Sequence, residues 1–176
     1  MRFFEPRGFI QYARVKKLYK EAFPKEERKP FSLIKKMHKR WKTDIWYFED
    51  GKRFLGLATT INSDSIVLID YFAVSPELRG KGYGTKMLAE LVKYYMPQGV
   101  FVEIESTETQ AANREERKKR KEFYIRSGFV PMNTRAKLFG VDMELLGISC
   151  SLSFDEYRRF YLENYGKFAY DNIKKV

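Results

Sequence analysis

The stretch Ile66-Val67-Leu68-Ile69-Asp70-Tyr71-Phe72-Ala73-Val74, followed at once by Ser75-Pro76-Glu77-Leu78-Arg79-Gly80-Lys81-Gly82-Tyr83-Gly84-Thr85, restricts this chain more than any other part of it. The first half is a near-continuous apolar run, which reads as a central strand buried on both faces. The second half carries three glycines at alternate positions and two cations; Met87, Leu88, Leu91, Val92 and Tyr95 then resume at helical spacing. A buried strand, a glycine-rich loop and an amphipathic helix in that order make an anion cradle. Free N–H groups and the positive end of a helix dipole face one place, and glycine lets the main chain approach a phosphate closely. The loop is not a P-loop, because no Gly-Lys-Ser/Thr closes it. Nor is it a dinucleotide fingerprint, because Met87 stands where a third glycine is needed.

The flanking sequence supplies the rest of a mixed α/β domain. Tyr12, Val15, Leu18, Tyr19, Ala22 and Phe23 recur at helical spacing up to Pro24, and Ile34, Met37 and Trp41 make a second helix after Pro30. Residues 44–49 and 53–61 flank Asp50-Gly51, a hairpin signal. Pro97 and Gly99 stop the central helix, and residues 100–105 read as a further strand. A charged helix is expected over 111–127 with Gly128 as its C-terminal cap. Residues 129–137 and 141–148 form a last hairpin, and Ser153 with Glu156 fits a capping box opening a C-terminal helix. The expected order is helix, helix, three strands, helix, strand, helix, two strands, helix. No repeat or Ser/Gly/Pro-rich linker marks a boundary, so 1–149 reads as one domain. Residues 150–176, rich in Phe and Tyr, read as a helical extension packed on it.

Composition narrows the function classes. A chain of 176 residues with 44% apolar residues holds one core and is not a disordered segment. No stretch reaches the roughly 20 apolar residues of a membrane span, and MRFFEPRGF lacks a signal-peptide core. With Cys150 as the single cysteine an internal disulfide is excluded, and a reducing cytoplasm is the expected location. The net charge of +11 is uneven: residues 14–42 hold twelve Lys/Arg against Glu21, Glu26 and Glu27, and a second basic cluster runs from Arg114 to Lys121. Such an excess suits anionic cofactors, anionic surfaces or polyanions. His38 and Cys150 offer no triad or metal constellation, so no metal is expected.

The glycine-rich segment resembles the cofactor signature of the GNAT acetyltransferase superfamily, Gln/Arg-x-x-Gly-x-Gly/Ala, met by Arg79, Gly82 and Gly84. Phe72-Ala73-Val74-Ser75-Pro76 is similar to the strand and turn that precede it. Phe123-Tyr124-Ile125-Arg126-Ser127-Gly128-Phe129 is similar to the family's Phe-Tyr-x-x-x-Gly-Phe helix end. The likeness extends over residues 9–149 as an order of elements and is specific over 71–92 and 123–129. It implies a central mixed sheet, mostly antiparallel, with a splayed parallel pair formed by the third and fourth expected strands. Helices would cover both faces, with the C-terminal helix as an addition. It also implies acetyl-coenzyme A as acetyl donor and an amine acceptor, attacked directly in a ternary complex.

Roles carried over by that resemblance are as follows. The main chain of Phe72, Ala73 and Val74 would pair with the pantetheine arm; Arg79, Gly80, Lys81, Gly82, Tyr83, Gly84 and Thr85 would hold the pyrophosphate. Tyr124 would protonate the departing thiolate. Where relatives place Asn seven residues before that tyrosine, this chain has Arg117, whose charge would suit the cofactor's 3′-phosphate. The attacking amine must be neutral, and free amines titrate near 10.4, so a carboxylate base is expected. Glu105 ranks first, with Asp70, a carboxylate inside an apolar strand, and Glu103 after it. The cationic segment 14–42 would repel polyamines and favour an acceptor bearing acidic groups. Two other readings stay open: a basic nucleic-acid-binding module using Trp41, Trp46 and the interleaved cations, and a cofactor sensor of the same fold without catalysis. The chain could be a monomer or a homodimer.

Overall fold

The computed structural model describes residues 1–40 and 42–176; Trp41, expected on the second helix, lies outside the described residues. The elements run β1 (Arg2–Phe4), α1 (Gly8–Ala22), α2 (Phe31–His38), β2 (Thr43–Asp50), β3 (Arg53–Asn62), β4 (Ile66–Val74), α3 (Tyr83–Tyr95) and β5 (Gly99–Glu105). Then follow α4 (Arg114–Arg126), β6 (Val130–Leu138), β7 (Val141–Ile148), α5 (Phe154–Tyr165), α6 (Lys167–Asp171) and β8 (Ile173–Lys175). The eight strands take the order β1-β2-β3-β4-β5-β7-β6-β8. The expected mixed α/β class, with a mostly antiparallel sheet and a parallel β4/β5 pair, is what the chain adopts. Two compact units divide it, Met1–Asn62 with Ile69–Leu91 and Ser63–Leu68 with Val92–Val176, so β4 and α3 each belong partly to both.

In the first unit, α1 presents Val15, Leu18 and Tyr19 to the core at the spacing read from sequence. Phe23 is extended (φ −123, ψ 135), the conformation that a following proline enforces, so Pro24 ends the helix. β2 and β3 form the expected hairpin, antiparallel from Thr43↔Ile61 to Asp50↔Arg53, with a bulge between Phe48 and Glu49. β1, absent from the sequence reading, pairs Arg2↔Glu49 through Phe4↔Tyr47. Val15, Leu18, Tyr19, Ile34, Ile45, Tyr47, Leu57, Tyr71 and Ala73 make the core of this unit. Trp46 is 5% exposed and meets Phe3 edge-on at 5.2 Å, so it is no platform for a nucleobase.

In the second unit β5 pairs with β7, and β6 with β7, both antiparallel. Gly99 donates from its backbone N–H to Ser65 just before β4 at 3.0 Å, which starts β5 beside that strand. The helix α4 begins at Arg114, three residues later than the pattern suggested. The capping box at Ser153 and Glu156 is present and opens α5. Residues 150–176 are helical over α5 and α6 but finish as β8, which pairs with β6 from Ala136↔Lys175 to Leu138↔Ile173. Tyr157, Phe160 and Tyr161 of α5 are buried, Phe160 against Phe101 of β5 at 5.2 Å.

β4 and α3 leave no room for a side chain at Gly56 of β3. A Cβ there would stand 2.2 Å from the Ala73 carbonyl oxygen and 2.7 Å from the Met87 side chain. Gly56→Ala therefore destabilises the fold by about 1–3 kcal/mol through overpacking against backbone, visible as a lower urea midpoint with an unchanged slope.

Candidate active site

In the first unit the strand-to-helix connection has the shape of an anion cradle. The amide of Ser75 donates to the Leu55 carbonyl at 2.8 Å, fixing where β4 stops. A single 3-10 turn, Pro76–Leu78, follows, and Leu78 is fully buried, which anchors the loop. Gly80 and Gly82 both lie in the left-handed region (φ +73 and +78), a conformation that side chains with a Cβ adopt at a cost of about 1 kcal/mol or more. Lys86 N–H closes on the Gly82 carbonyl at 3.3 Å, so the N–H groups of Tyr83, Gly84 and Thr85 occupy the first turn of α3, where no intrahelical acceptor exists. Arg79 Nε donates to the Val74 carbonyl at 3.2 Å and Lys81 Nζ to the Glu77 carbonyl at 2.9 Å, both on an exposed face. The two cations thus brace the loop while keeping their charge at its rim. Ala73 is buried, and Phe72 and Val74 alternate with it as half-buried positions of β4.

Asp70, also on β4, accepts both oxygens' bonds from Lys29 Nζ at 2.7 and 2.8 Å, its side chain 9% exposed. The neighbouring Tyr71 hydroxyl accepts from the Lys29 N–H and donates to the Glu27 carbonyl, both at 3.0 Å. Burial, with Asp70 nearby, drives the Tyr71 phenol far above its ordinary range, so it stays protonated and holds the segment between α1 and α2 against the strand.

The second unit holds the other predicted residues. Tyr124 lies in the last turn of α4, 8% exposed, with Phe123 and Phe129 edge-on at 5.2 and 5.5 Å. Gly128, at φ +94, reverses the chain so that the Phe129 N–H returns to the Tyr124 carbonyl at 3.1 Å. Burial pushes the phenol up to about 12, Arg120 opposing it, and its hydroxyl has no hydrogen-bond partner among the described residues. Glu105 forms an ion pair with Arg117 at 2.6 Å and a longer one with Arg120 at 3.4 Å, and Asn113 lies at 3.5 Å. Arg117 also donates to Asn113 Oδ1 at 2.8 Å and to the Ser106 carbonyl at 3.2 Å. Its guanidinium is therefore committed to protein acceptors rather than projecting as a lone cation. Glu103 accepts from the Tyr161 hydroxyl of α5 at 2.8–2.9 Å.

A third carboxylate was not foreseen. Glu144 on β7, 6% exposed, is in a short ion pair with Lys121 of α4 and accepts from both the N–H and the hydroxyl of Thr107, at 2.6 and 2.7 Å. Alternation along Val141–Leu145 would have put it with Asp142 on a polar face, so no local signal reveals it; Glu144 to Gly147 are all buried. Equally unforeseen, His38 meets Glu5 and Asp44: one ligating atom of each lies within 4.8 Å of the others.

The comparisons with known proteins agree with this picture. The profile of the acetyltransferase (GNAT) family matches residues 12–129, well over half of the chain. This chain belongs to that family. It is 32% identical over 109 residues to YjbC, a Bacillus subtilis (strain 168) protein whose name describes an acetyltransferase. That match takes in 62% of this chain and 53% of YjbC, so the chain spans about half the length of that relative. Among solved structures, a GNAT-family protein of Bacteroides thetaiotaomicron superposes with a TM-score of 0.78 at 22% identity, over 95% of this chain and 99% of that one. A Bacillus subtilis acetyltransferase in complex with coenzyme A superposes with a TM-score of 0.61 at 14% identity, over 85% and 98% of the two chains. Among the described residues no helix is long and apolar enough to cross a membrane.

The Glu144 network has a pH signature. Burial alone would raise its carboxyl, but Lys121 and Thr107 outweigh it and hold the carboxyl below the usual 4.5. A depressed folded-state value contributes stability that is present above the unfolded value and is lost as pH falls through the folded one. Glu144→Gln should therefore lose less stability than the parent on acidification from about pH 5 to 3, as measured by urea unfolding at each pH.

Proposed function

We propose that this chain is an acetyl-coenzyme A-dependent N-acetyltransferase acting on a primary amine by direct transfer. The observation that carries the reading is the loop Arg79–Gly84. Two left-handed glycines and the open first turn of α3 supply backbone donors for a pyrophosphate, under the charge of Arg79 and Lys81. The main chain of Phe72, Ala73 and Val74 is read as the partner of the pantetheine arm, by analogy with the family.

In the reaction the amine nitrogen attacks the thioester carbonyl carbon, the C–S bond breaks, and the nitrogen loses a proton. Tyr124 is the donor to the departing sulfur. A phenol held near 12 is a weaker acid than a thiol at about 8.5. It therefore stabilises the developing thiolate chiefly by donating a hydrogen bond, and full protonation can follow from solvent. For the base we keep Glu105 first, with Asp70 and Glu103 behind it. Because Glu105 is paired with Arg117, taking a proton outright would break that pair, so it acts by orienting a water that accepts the amine's proton and passes it on to solvent. Arg117 then serves as the positioning partner of Glu105, and its contact with the cofactor is secondary. The cationic segment 14–42 favours an acceptor that carries acidic groups beside its amine.

Calorimetric titration of acetyl-coenzyme A tests the cofactor reading. Binding in the micromolar range, about −8 kcal/mol, is expected, weakened by about 1.5–3 kcal/mol in Arg79→Ala. No binding to folded protein would remove the reading. Turnover of a panel of amines tests the chemistry: Tyr124→Phe should lower kcat by about 10²-fold with cofactor affinity unchanged, and Glu105→Gln should lower kcat by about 10²-fold as well. A chain that binds the cofactor and turns over no amine, with Tyr124→Phe indistinguishable from the parent, would instead be a sensor.

A further inference from the structure

Glu5 lies in the turn after β1, His38 is the last residue of α2, and Asp44 is the second residue of β2. Glu5 is remote in sequence from His38 and Asp44, yet one ligating atom from each lies within 4.8 Å of the others. Two orienting contacts make this more than an approach of polar groups. His38 Nδ1 lies 2.8 Å from the Thr43 carbonyl oxygen. A carbonyl can only accept, so Nδ1 carries the hydrogen and donates it, which leaves the lone pair on Nε2. Nε2 then faces Glu5 Oε2 at 3.7 Å. Asp44 is steadied in the same way, its Oδ2 accepting from Asn62 Nδ2 of β3 at 2.7 Å.

We propose that Glu5, His38 and Asp44 bind a first-row transition-metal dication, with Zn²⁺ as the best match. One imidazole nitrogen and two carboxylate oxygens form a donor set that suits zinc, and the outer hydrogen bonds from Thr43 and Asn62 are of the kind that orient such ligands. In a tetrahedral site with bonds of about 2.0–2.1 Å, ligand atoms stand about 3.3 Å apart, so the 3.7 Å separation of His38 and Glu5 needs only a small contraction. The Glu5 side chain is 46% exposed and that of His38 16%, which leaves an open side for ion entry and for a water as fourth ligand. The ion would join the start of the chain, the end of α2 and β2. Its role is that of a staple, and it takes no part in acetyl transfer.

His38 is the single histidine and Cys150 the single cysteine, so the test is unusually clean. Chelator-treated, tag-free full-length protein is titrated with ZnCl₂ by calorimetry, alongside His38→Gln, Glu5→Gln, Asn62→Ala and Cys150→Ser. The expected result is one ion per chain and a raised thermal midpoint. Asn62→Ala should weaken affinity by about tenfold, the size expected for an outer-shell partner, and His38→Gln and Glu5→Gln by more. Cys150→Ser should bind like the parent. In ¹⁵N spectra of the single imidazole, zinc should shift Nε2 and leave Nδ1 protonated. Absence of binding, binding that survives His38→Gln and vanishes in Cys150→Ser, or an unmoved Nε2 signal would each overturn the proposal. A Glu5–His38 ion pair without metal affinity would be the explanation left.

Discussion

The glycine-rich cradle depends on where β4 stops. The strand is apolar because it is buried, and it belongs to both compact units. Gly56 lets β3 come close enough to hold it, the Ser75 amide closes the last rung on Leu55, and the buried Leu78 turns the chain away. Only after that abrupt halt can three glycines and the open turn of α3 face a ligand with their N–H groups. A strand that frayed by two residues would spread the same donors along a flexible loop, and the helix dipole would have nothing to focus on.

A second theme is how a strongly cationic chain uses its fewer carboxylates. Asp70 holds Lys29, Glu105 holds Arg117 and Arg120, and Glu144 holds Lys121. Each joins a strand to a helix or to a connecting segment, and each is well buried on the acidic side. Burying a carboxylate without a partner would cost far more than such a pair returns. The pairs therefore specify which segment lies on which strand. This also reframes the search for a base: each of the expected carboxylates, Glu105, Asp70 and Glu103, already has a structural partner.

The long elements were legible because their signals are strong and local. Helical spacing up to Pro24, the hairpin at Asp50-Gly51, the run from Ile66 to Val74 and the capping box at Ser153 each depend on residues close in sequence, and each was found where expected. β1 and β8 were not, because a three-residue strand has too few positions to show alternation; only the register of its neighbour makes it a strand. The start of α4 at Arg114 was not legible, because the N-cap residue Asn113 makes no side-chain cap bond; its side chain serves Arg117 and Glu105 instead. Glu144, Tyr161 and the trio around His38 were hidden for a related reason. Their partners come from other elements, and no spacing rule reaches across a fold.

The two strands missed from sequence occupy the two borders of the sheet. A long, flat, apolar border strand would offer a row of unpaired backbone groups to any other chain and invite edge-to-edge growth. Here each border is three residues long and carries cations: Arg2 on one side, Lys174 and Lys175 on the other. Two such borders on molecules of this net charge repel one another before their backbones can meet. Short, charged borders of this kind protect an open sheet that does not close into a barrel.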